Sequence, residues 1–181
     1  MTFPWDEINN IETTLVTLPK DENGKLDPER CADEILDFLI FTYILAHDNI
    51  EERFGVSLEI KAEDMYEIIY KDIAGEDFVQ RARKWADEGK PSALTFLLET
   101  ETNRVFNETM LFYADKAGAG TKTWRTMEDD RVRDTHSYLA DMELPLDGMF
   151  FTYDGDGAEA PGGFILPQNN VNCRCWLDFD R

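Results

Sequence analysis

The sequence predicts an α+β fold, in which a helical N-terminal half is followed by a small, loop-rich α+β module with a few antiparallel strands. Within a predicted helix over residues 28–54, the middle, residues 35–46, carries apolar side chains around almost the whole helix. After the joint at residues 118–120 the spacing changes, and short alternating runs are separated by Gly- and Pro-rich stretches, which is typical of strands and turns. We therefore divide the chain into a helical region, residues 1–90, and a second module, residues 91–181.

Composition places the chain among globular proteins and argues against a broad nucleic-acid surface. Its 181 residues suit one domain, or one domain with a helical annex, and 43% of them are hydrophobic. The chain has 38 acidic and 18 basic residues, and its net charge is −20. Because phosphate binding needs clustered Lys and Arg, we expect only local DNA contact, through Arg131, Arg133 and Arg174. The acidity favours basic partners, or a crowded assembly in which charge prevents random association.

The sequence predicts neither a signal peptide, nor a membrane span, nor a disulfide framework. Its first residues lack the basic and apolar parts of a signal peptide. The longest apolar run, residues 35–46, contains Asp37 and Thr42 and is too short and too polar to cross a bilayer. Three cysteines do not form a disulfide framework. We therefore expect synthesis in a reducing cytoplasm, with thiols free or bound to metal.

A long helix is predicted to begin at Asp27 and Pro28, after a segment, residues 6–18, that is either a short helix or an extended arm. Asp27 suits the N-cap and Pro28 the first helical position, and Gly55 suits the end of a helix that runs to Phe54. The middle of this helix, residues 35–46, is apolar nearly all round. It is therefore either a central core helix or a helix that offers one face to another protein.

Three more helices are predicted before the glycine-rich joint. Apolar spacing predicts helices over residues 62–73 and 76–88, and the turn Gly89-Lys90-Pro91 begins a fourth helix that ends near Ala117.

Glu101 lies within the apolar stripe of the fourth helix, four residues from both Leu97 and Val105. A carboxylate in such a position needs a cation or several hydrogen-bond donors. Glu101 is therefore predicted either to form a buried pair with Arg131 or Arg133, or to reach water at the edge of the stripe.

The last third is predicted to contain strands, one short helix and loops. Alternation and turn residues predict the following elements: strands over residues 122–126, 148–153 and 173–179, a short helix that is capped by Asp134 or Thr135 and runs through Met142, a turn at residues 154–157, and loops at residues 161–163 and 167–170.

His136, Cys173 and Cys175 are candidate ligands for a metal, with zinc as the metal that these residue types favour. Cys173 and Cys175 are one residue apart, so on a strand both sulfurs lie on the same face. The fourth ligand is open among Asp129, Asp134 and Cys31. The alternative is a pair of buried thiols on the core face, with Arg174 on the other face.

His136 and its neighbours also allow an enzymatic alternative, in which a small nuclease- or toxin-like enzyme uses His136 with Arg131 and Arg133. However, the sequence contains no phosphate-binding loop, no HExxH motif and no nucleophile elbow. We therefore expect a protein that is not an enzyme.

One set of motifs resembles a known family. The motifs are Thr100-Glu101-Thr102-Asn103-Arg104 with Asn107, Trp124, Asp129-x-Arg131-Val132-Arg133-x-x-His136, Asp147-Gly148-x-Phe150, Pro161, and Asn172-Cys173-Arg174-Cys175. In their order and spacing they resemble the Mu-F-like phage head morphogenesis family, whose members are minor head proteins of tailed phages. The similarity covers residues 92–176. It departs from the family at residues 140–142, where Ala-Asp-Met replaces a small turn with Gly, and in the short acidic N-terminal half.

The resemblance implies a minor head protein that associates with the portal and the procapsid and acts in DNA packaging or ejection. It implies the portal protein or the major capsid protein as partner, no membrane, and a location in the host cytoplasm during assembly and then in the virion head. The residues that match the motif have no catalytic role assigned by the resemblance. They are Glu101, Trp124, Asp129, Arg131, Arg133, His136, Asn172 and Arg174, together with Cys173 and Cys175. A buried network between the fourth helix and the segment 172–175 would explain the same residues without chemistry.

Overall fold

A computed structural model describes residues 18–181 of the chain. The expectations about a signal peptide and about residues 6–18 lie outside the described residues, apart from Leu18. The described elements are, in order, α1 (Pro28–Phe54), α2 (Ala62–Ile69), α3 (Phe78–Asp87), α4 (Pro91–Lys116), β1 (Thr121–Arg125), α5 (Asp134–Ser137), β2 (Glu143–Pro145), β3 (Phe150–Phe151), β4 (Gly157–Ala158), α6 (Pro167–Asn170) and β5 (Trp176–Asp180). The predicted α+β class, with a helical part followed by short antiparallel strands, is confirmed.

Helix α1 begins and ends where its capping residues predict. The Asp27 side chain accepts a hydrogen bond from the Arg30 backbone, and Gly55 adopts the left-handed conformation with φ of 64°. The helix packs against α3 and α4 and buries residues such as Leu39. Phe41, however, stays 44% exposed. Helix α1 therefore buries one face in the core and leaves Phe41 on its other side, among charged residues such as Asp37.

Helices α2 and α3 are shorter than predicted. Helix α2 ends at Ile69 rather than at residue 73, because the carbonyls of Ile68 and Ile69 accept hydrogen bonds from the guanidinium of Arg104. Helix α3 begins at Phe78 rather than at residue 76, because Asp77 and Gln80 form a reciprocal capping box.

Helix α4 is the scaffold of the described chain. It runs from Pro91 to Lys116, as predicted to within one residue, and packs against α1, α2, α3 and β5. Strands β2, β1 and β5 form an antiparallel sheet in that order, and β3 and β4 form a separate antiparallel ribbon. The side chains of Trp124, Leu177 and Phe179 belong to the same buried core as those of the helices.

Four predictions in the last third are wrong in their details. The helix after Asp134 makes one turn instead of reaching Met142, because the backbone of residues 141–142 bonds to Trp124 of β1. The strand over residues 148–153 shortens to β3, and residues 167–170 form the helical turn α6 instead of a loop. Cys173 and Cys175 precede β5 rather than lying in it. The strand β1 and the turn after residue 153 are found as predicted.

Candidate functional site

His136, Cys173 and Cys175, here called the His/Cys cluster, meet in the interior although α5 and the segment before β5 are far apart in sequence. Nδ1 of His136 lies 3.4 Å from Sγ of Cys173 and 3.4 Å from Sγ of Cys175. The three donor atoms lie within 4.8 Å of one another, and all three residues are buried. The same-face argument from a strand was wrong, since neither cysteine is in a strand, yet the structure brings the three side chains together.

Two asparagines position the cysteine segment: Asn172 lies in the turn before it, and Asn107 holds it from α4. Asn172 adopts φ of 57°, a left-handed conformation that Asn tolerates better than most residues. From α4, the amide of Asn107 donates to the Cys175 carbonyl over 3.2 Å and accepts from the Leu177 backbone N–H over 3.0 Å. Asn107 therefore holds the cysteine segment against the scaffold helix.

Aromatic rings enclose the imidazole of His136. The ring of Trp124 lies edge-on at 5.6 Å between centroids, and that of Phe164 lies at 5.7 Å. His136 Nε2 has no hydrogen-bond partner among the described residues. The two aromatic rings therefore position the imidazole by packing.

The two thiols are electrostatically distinct. The hydrogen bond with Cys175 holds the pKa of the Cys173 thiol well below its usual range, against the opposing effect of burial and with further help from His136. The hydrogen bond with Cys173 and burial both raise the pKa of Cys175. The hydrogen bond between the two thiols therefore moves their pKa values in opposite directions.

Three arginines surround the cluster, and each already has a partner. Arg174 donates to both carboxylate oxygens of Asp129 at 2.8 Å, and this hydrogen bond is the main cause that lowers the pKa of Asp129. Arg133 donates to the carbonyls of Asn169 and Val171. Arg131 is largely exposed and contacts Asp129 at 3.4 Å. The arginines thus fix the loops around the cluster.

The prediction that Glu101 pairs with Arg131 or Arg133 is wrong, and so is the alternative that it reaches water. Glu101 is 1% exposed, and its partners are Arg81 at 2.7 Å and Arg104 at 2.8 Å. Arg104 also donates to Glu108 at 2.9 Å. We call these four residues the ion network.

Arg104 is the centre of the ion network and the main site residue that sequence reasoning missed. Burial acts to lower the pKa of Arg104, but Glu101 and Glu108 outweigh it, and the pKa is raised. Its spacing of three residues from Glu101 and four from Glu108 is the signal that would have found it. The contact of Arg81 with Glu101 joins two helices and has no such local signal.

The geometry limits the chemistry of the His/Cys cluster. The adjoining cavity measures about 10 Å³ and is lined by residues 131–133, His136 and residues 172–175. That volume is close to the space one water molecule needs. The proposed fourth ligands do not complete the cluster within residues 18–181, because Asp129 is bound to Arg174 and Cys31 lies on α1 beside the Pro19 carbonyl. Asp134 occupies the first turn of α5.

The described chain is therefore a helical scaffold that carries a small α+β module with a buried His/Cys cluster. The family model of the Phage Mu protein F like proteins matches residues 66–178, more than half of the chain. The chain belongs to this family. Comparison with the curated proteins and with the solved structures gave no match. Within the described residues, no helix is both long and apolar enough to cross a membrane.

Proposed function

We propose that the protein is a minor head protein, a structural component that associates with the portal or procapsid and takes part in DNA packaging or ejection. The observation that carries the proposal is the family match over residues 66–178, from within α2 to β5. The match includes the scaffold helix α4, the ion network and the His/Cys cluster. Because these residues make a buried, internally bonded module, they support a structural role.

We propose residues 1–90 as the region that docks on the portal protein or on the major capsid protein, and residues 91–181 as the head morphogenesis module. Phe41 and Ile44 of α1 are 44% and 41% exposed on the surface of the helical half. Apolar side chains at such positions suit a protein interface. The protein would be made in the host cytoplasm and carried into the virion head.

The charge of the chain supports a role beside packaged DNA rather than on it. A net charge of −20 repels phosphate and prevents general adhesion to the genome. Arg131, with a side chain that is 72% exposed, is the residue of the arginine group that is best placed for a local DNA contact.

A structural role is favoured over the nuclease alternative by the state of its intended residues. His136 is 1% exposed, and the guanidinium of Arg133 is bound to two backbone carbonyls. A phosphodiester would have to displace these contacts and enter a cavity of about 10 Å³. The alternative predicts a nuclease activity that His136→Ala removes without changing the thermal midpoint.

The test is the composition of purified phage heads. We expect the protein to co-purify with heads at a low and constant copy number, measured by quantitative mass spectrometry. Absence of the protein from purified particles would contradict the proposal.

Docking through α1 has its own test. Phe41→Ser combined with Ile44→Ser should reduce incorporation into heads while circular dichroism and the thermal midpoint stay unchanged. Phe96→Ser is the matched control, because Phe96 on α4 is 47% exposed but lies outside the proposed docking region. Equal loss with the control variant would place the docking surface elsewhere.

A further inference from the structure

We propose that His136, Cys173 and Cys175 bind one zinc ion, with a water molecule as the fourth ligand. The inference does not depend on the proposed role in the phage head. It rests on the arrangement of the three donor atoms, on the number of hydrogen bonds they can make, and on the charge of the buried site.

The distances within the His/Cys cluster are those of one face of a zinc tetrahedron. Zinc binds sulfur at about 2.3 Å and imidazole nitrogen at about 2.0–2.1 Å, which places the sulfur and nitrogen atoms of a tetrahedral site about 3.6 Å apart. Nδ1 of His136 lies 3.4 Å from each sulfur. All three donors lie within 4.8 Å of one another, so one point is within bonding distance of all of them after small side-chain movements.

Hydrogen bonding alone leaves the His/Cys cluster incompletely satisfied. A neutral imidazole has one nitrogen lone pair, and both Cys173 and Cys175 approach that same nitrogen. Only one thiol can donate to it, and the hydrogen bond between the two thiols uses sulfur, a weak acceptor. A cation between the three donor atoms would coordinate the lone pair of Nδ1 and a lone pair of each thiolate sulfur. All three atoms would then have a partner.

The other histidine in the described residues shows a different arrangement. Nδ1 of His47 lies 3.0 Å from an Asp48 oxygen, and Nε2 lies 3.0 Å from the Leu58 carbonyl. Both ring nitrogens of His47 therefore have oxygen atoms as hydrogen-bond partners, and Asp48 is exposed to solvent. The carboxylates near His47 form a surface group, whereas His136 faces two buried soft ligands.

The electrostatic balance of the site also fits zinc. Two thiolates, one neutral imidazole and Zn²⁺ have no net charge, which is the state that costs least to bury. The charge of Arg174 is paired with Asp129, whereas Arg133 is held by two neutral carbonyls and keeps a positive charge that favours thiolates nearby.

The cavity beside the cysteines provides the fourth position. Its volume of about 10 Å³ is close to that of one water-sized probe. The Trp124 and Phe164 rings fix the imidazole plane by packing, in place of the hydrogen bond to the second ring nitrogen that many metal-bound histidines make. The metal would then tie α5 to the segment before β5.

The test is metal analysis of the full chain, purified in the presence of a reductant and without a chelator. We expect about one zinc per chain, since a structural zinc is bound near stoichiometrically. After removal of the metal, added Co²⁺ should give a sulfur-to-metal charge-transfer band, and added Zn²⁺ should raise the thermal midpoint. These wild-type measurements decide the proposal even where a variant does not fold.

Three variants assign the ion to the His/Cys cluster. Cys175→Ser and His136→Asn should each lose most of the zinc, whereas Cys31→Ser should keep it. Cys31 is the matched control, since it is a buried thiol on α1 whose sulfur contacts the Pro19 carbonyl. Wild-type protein without zinc, without a Co²⁺ band and without a Zn²⁺-dependent midpoint would overturn the proposal, as would equal zinc loss in Cys31→Ser.

Discussion

The ion network and the His/Cys cluster are both buried, but they differ in how their polar atoms are satisfied. The guanidinium of Arg104 donates to two carboxylates and to the carbonyls of Ile68 and Ile69. The His/Cys cluster directs two thiols at one nitrogen, and His136 Nε2 has no partner among the described residues.

From this difference we infer that the ion network stabilises the fold, whereas the His/Cys cluster is suited to binding a ligand. A buried ion network in which the charges have partners needs nothing further and holds α2, α3 and α4 in place. A buried group with competing donors is a candidate for an external ion. Burial also differs between Arg104, which is buried, and Arg174, which is part-exposed, so we expect their substitutions to change the free energy of unfolding by unequal amounts.

The largest effect is expected from Arg104→Met. The variant leaves Glu101 buried with Arg81 as its remaining cation and removes both contacts to the end of α2. Loss of one partner of a buried ion pair costs about 3–5 kcal/mol. Urea unfolding at neutral pH measures the loss. Arg83→Met is the control, because the pair of Arg83 with Glu29 is exposed and should contribute about 0–1 kcal/mol.

A double-mutant cycle sharpens the assignment of the partner of Glu101. Glu101→Gln and Arg81→Gln should be non-additive, whereas Glu101→Gln and Arg133→Gln should add. Non-additivity with Arg133 instead would contradict the pairing described here.

Gly162→Ala should have the next largest effect on the free energy of unfolding. Gly162 lies in the loop before α6, and its added methyl group would clash with the backbone of Arg104. Gly162 has φ of +88°, and an added Cβ would lie 2.7 Å from the Arg104 Cα. Strain and overpacking together should cost about 3 kcal/mol in the free energy of unfolding. Gly155→Ala is the matched control, since Gly155 has φ of +83° but open space around it, and should cost about 1 kcal/mol. Equal losses of stability in Gly162→Ala and Gly155→Ala would show that backbone strain, and not the contact with Arg104, causes both.

Lys122→Met should stabilise the protein, because Lys122 resembles the His/Cys cluster in lacking a partner. The Lys122 side chain is fully buried, its Nζ has no hydrogen-bond partner within residues 18–181, and burial lowers its pKa to about 8. Glu159 and Asp147 oppose the shift only in part. The variant should gain about 3 kcal/mol at neutral pH, from about 1.4 kcal/mol per pKa unit.

The gain of Lys122→Met has a defined pH dependence. Below pH 8 the lysine is protonated in both the folded and the unfolded state, so wild type bears the full cost of burying the charge. Between pH 8 and about 10.4 only the unfolded state holds the proton, and wild-type stability rises with pH. The difference between variant and wild type should therefore shrink over this range. Lys25→Met, at an exposed lysine, should show no such change; a constant gain in Lys122→Met would refute the titration.

Local signals in the sequence explain the parts of this comparison that could be predicted. Asp27 and Gly55 are capping residues, and they place both ends of α1 without tertiary information. Glu101 in an apolar stripe predicts a buried carboxylate. The prediction of Arg131 or Arg133 as its partner is wrong. One true partner, Arg81, lies on another helix, and apolar spacing does not show which helices contact each other. The end of α2 was missed for the same reason, since Arg104 takes its last carbonyls.

The smallest effect is expected from Arg174→Gln at the edge of the His/Cys cluster. Arg174 and Asp129 are both part-exposed, so solvent screens their attraction. The hydrogen bond from Arg174 lowers the pKa of Asp129 in the folded state. The pair therefore contributes its stability above the unfolded pKa of about 3.9, and this contribution is lost as pH falls through the folded value. Thermal midpoints of wild type and variant should differ slightly at pH 7 and converge in acid.

The size of this last effect bears directly on the comparison between the two groups. Arg104→Met removes a fully buried cation from the ion network, whereas Arg174→Gln removes one that water can replace. If Arg174→Gln destabilised the protein as much as Arg104→Met, and did so equally at all pH values, the loop around the cysteines would itself be part of the core. Arg131→Gln is the control, because its side chain is 72% exposed and its contact with Asp129 is the weaker one.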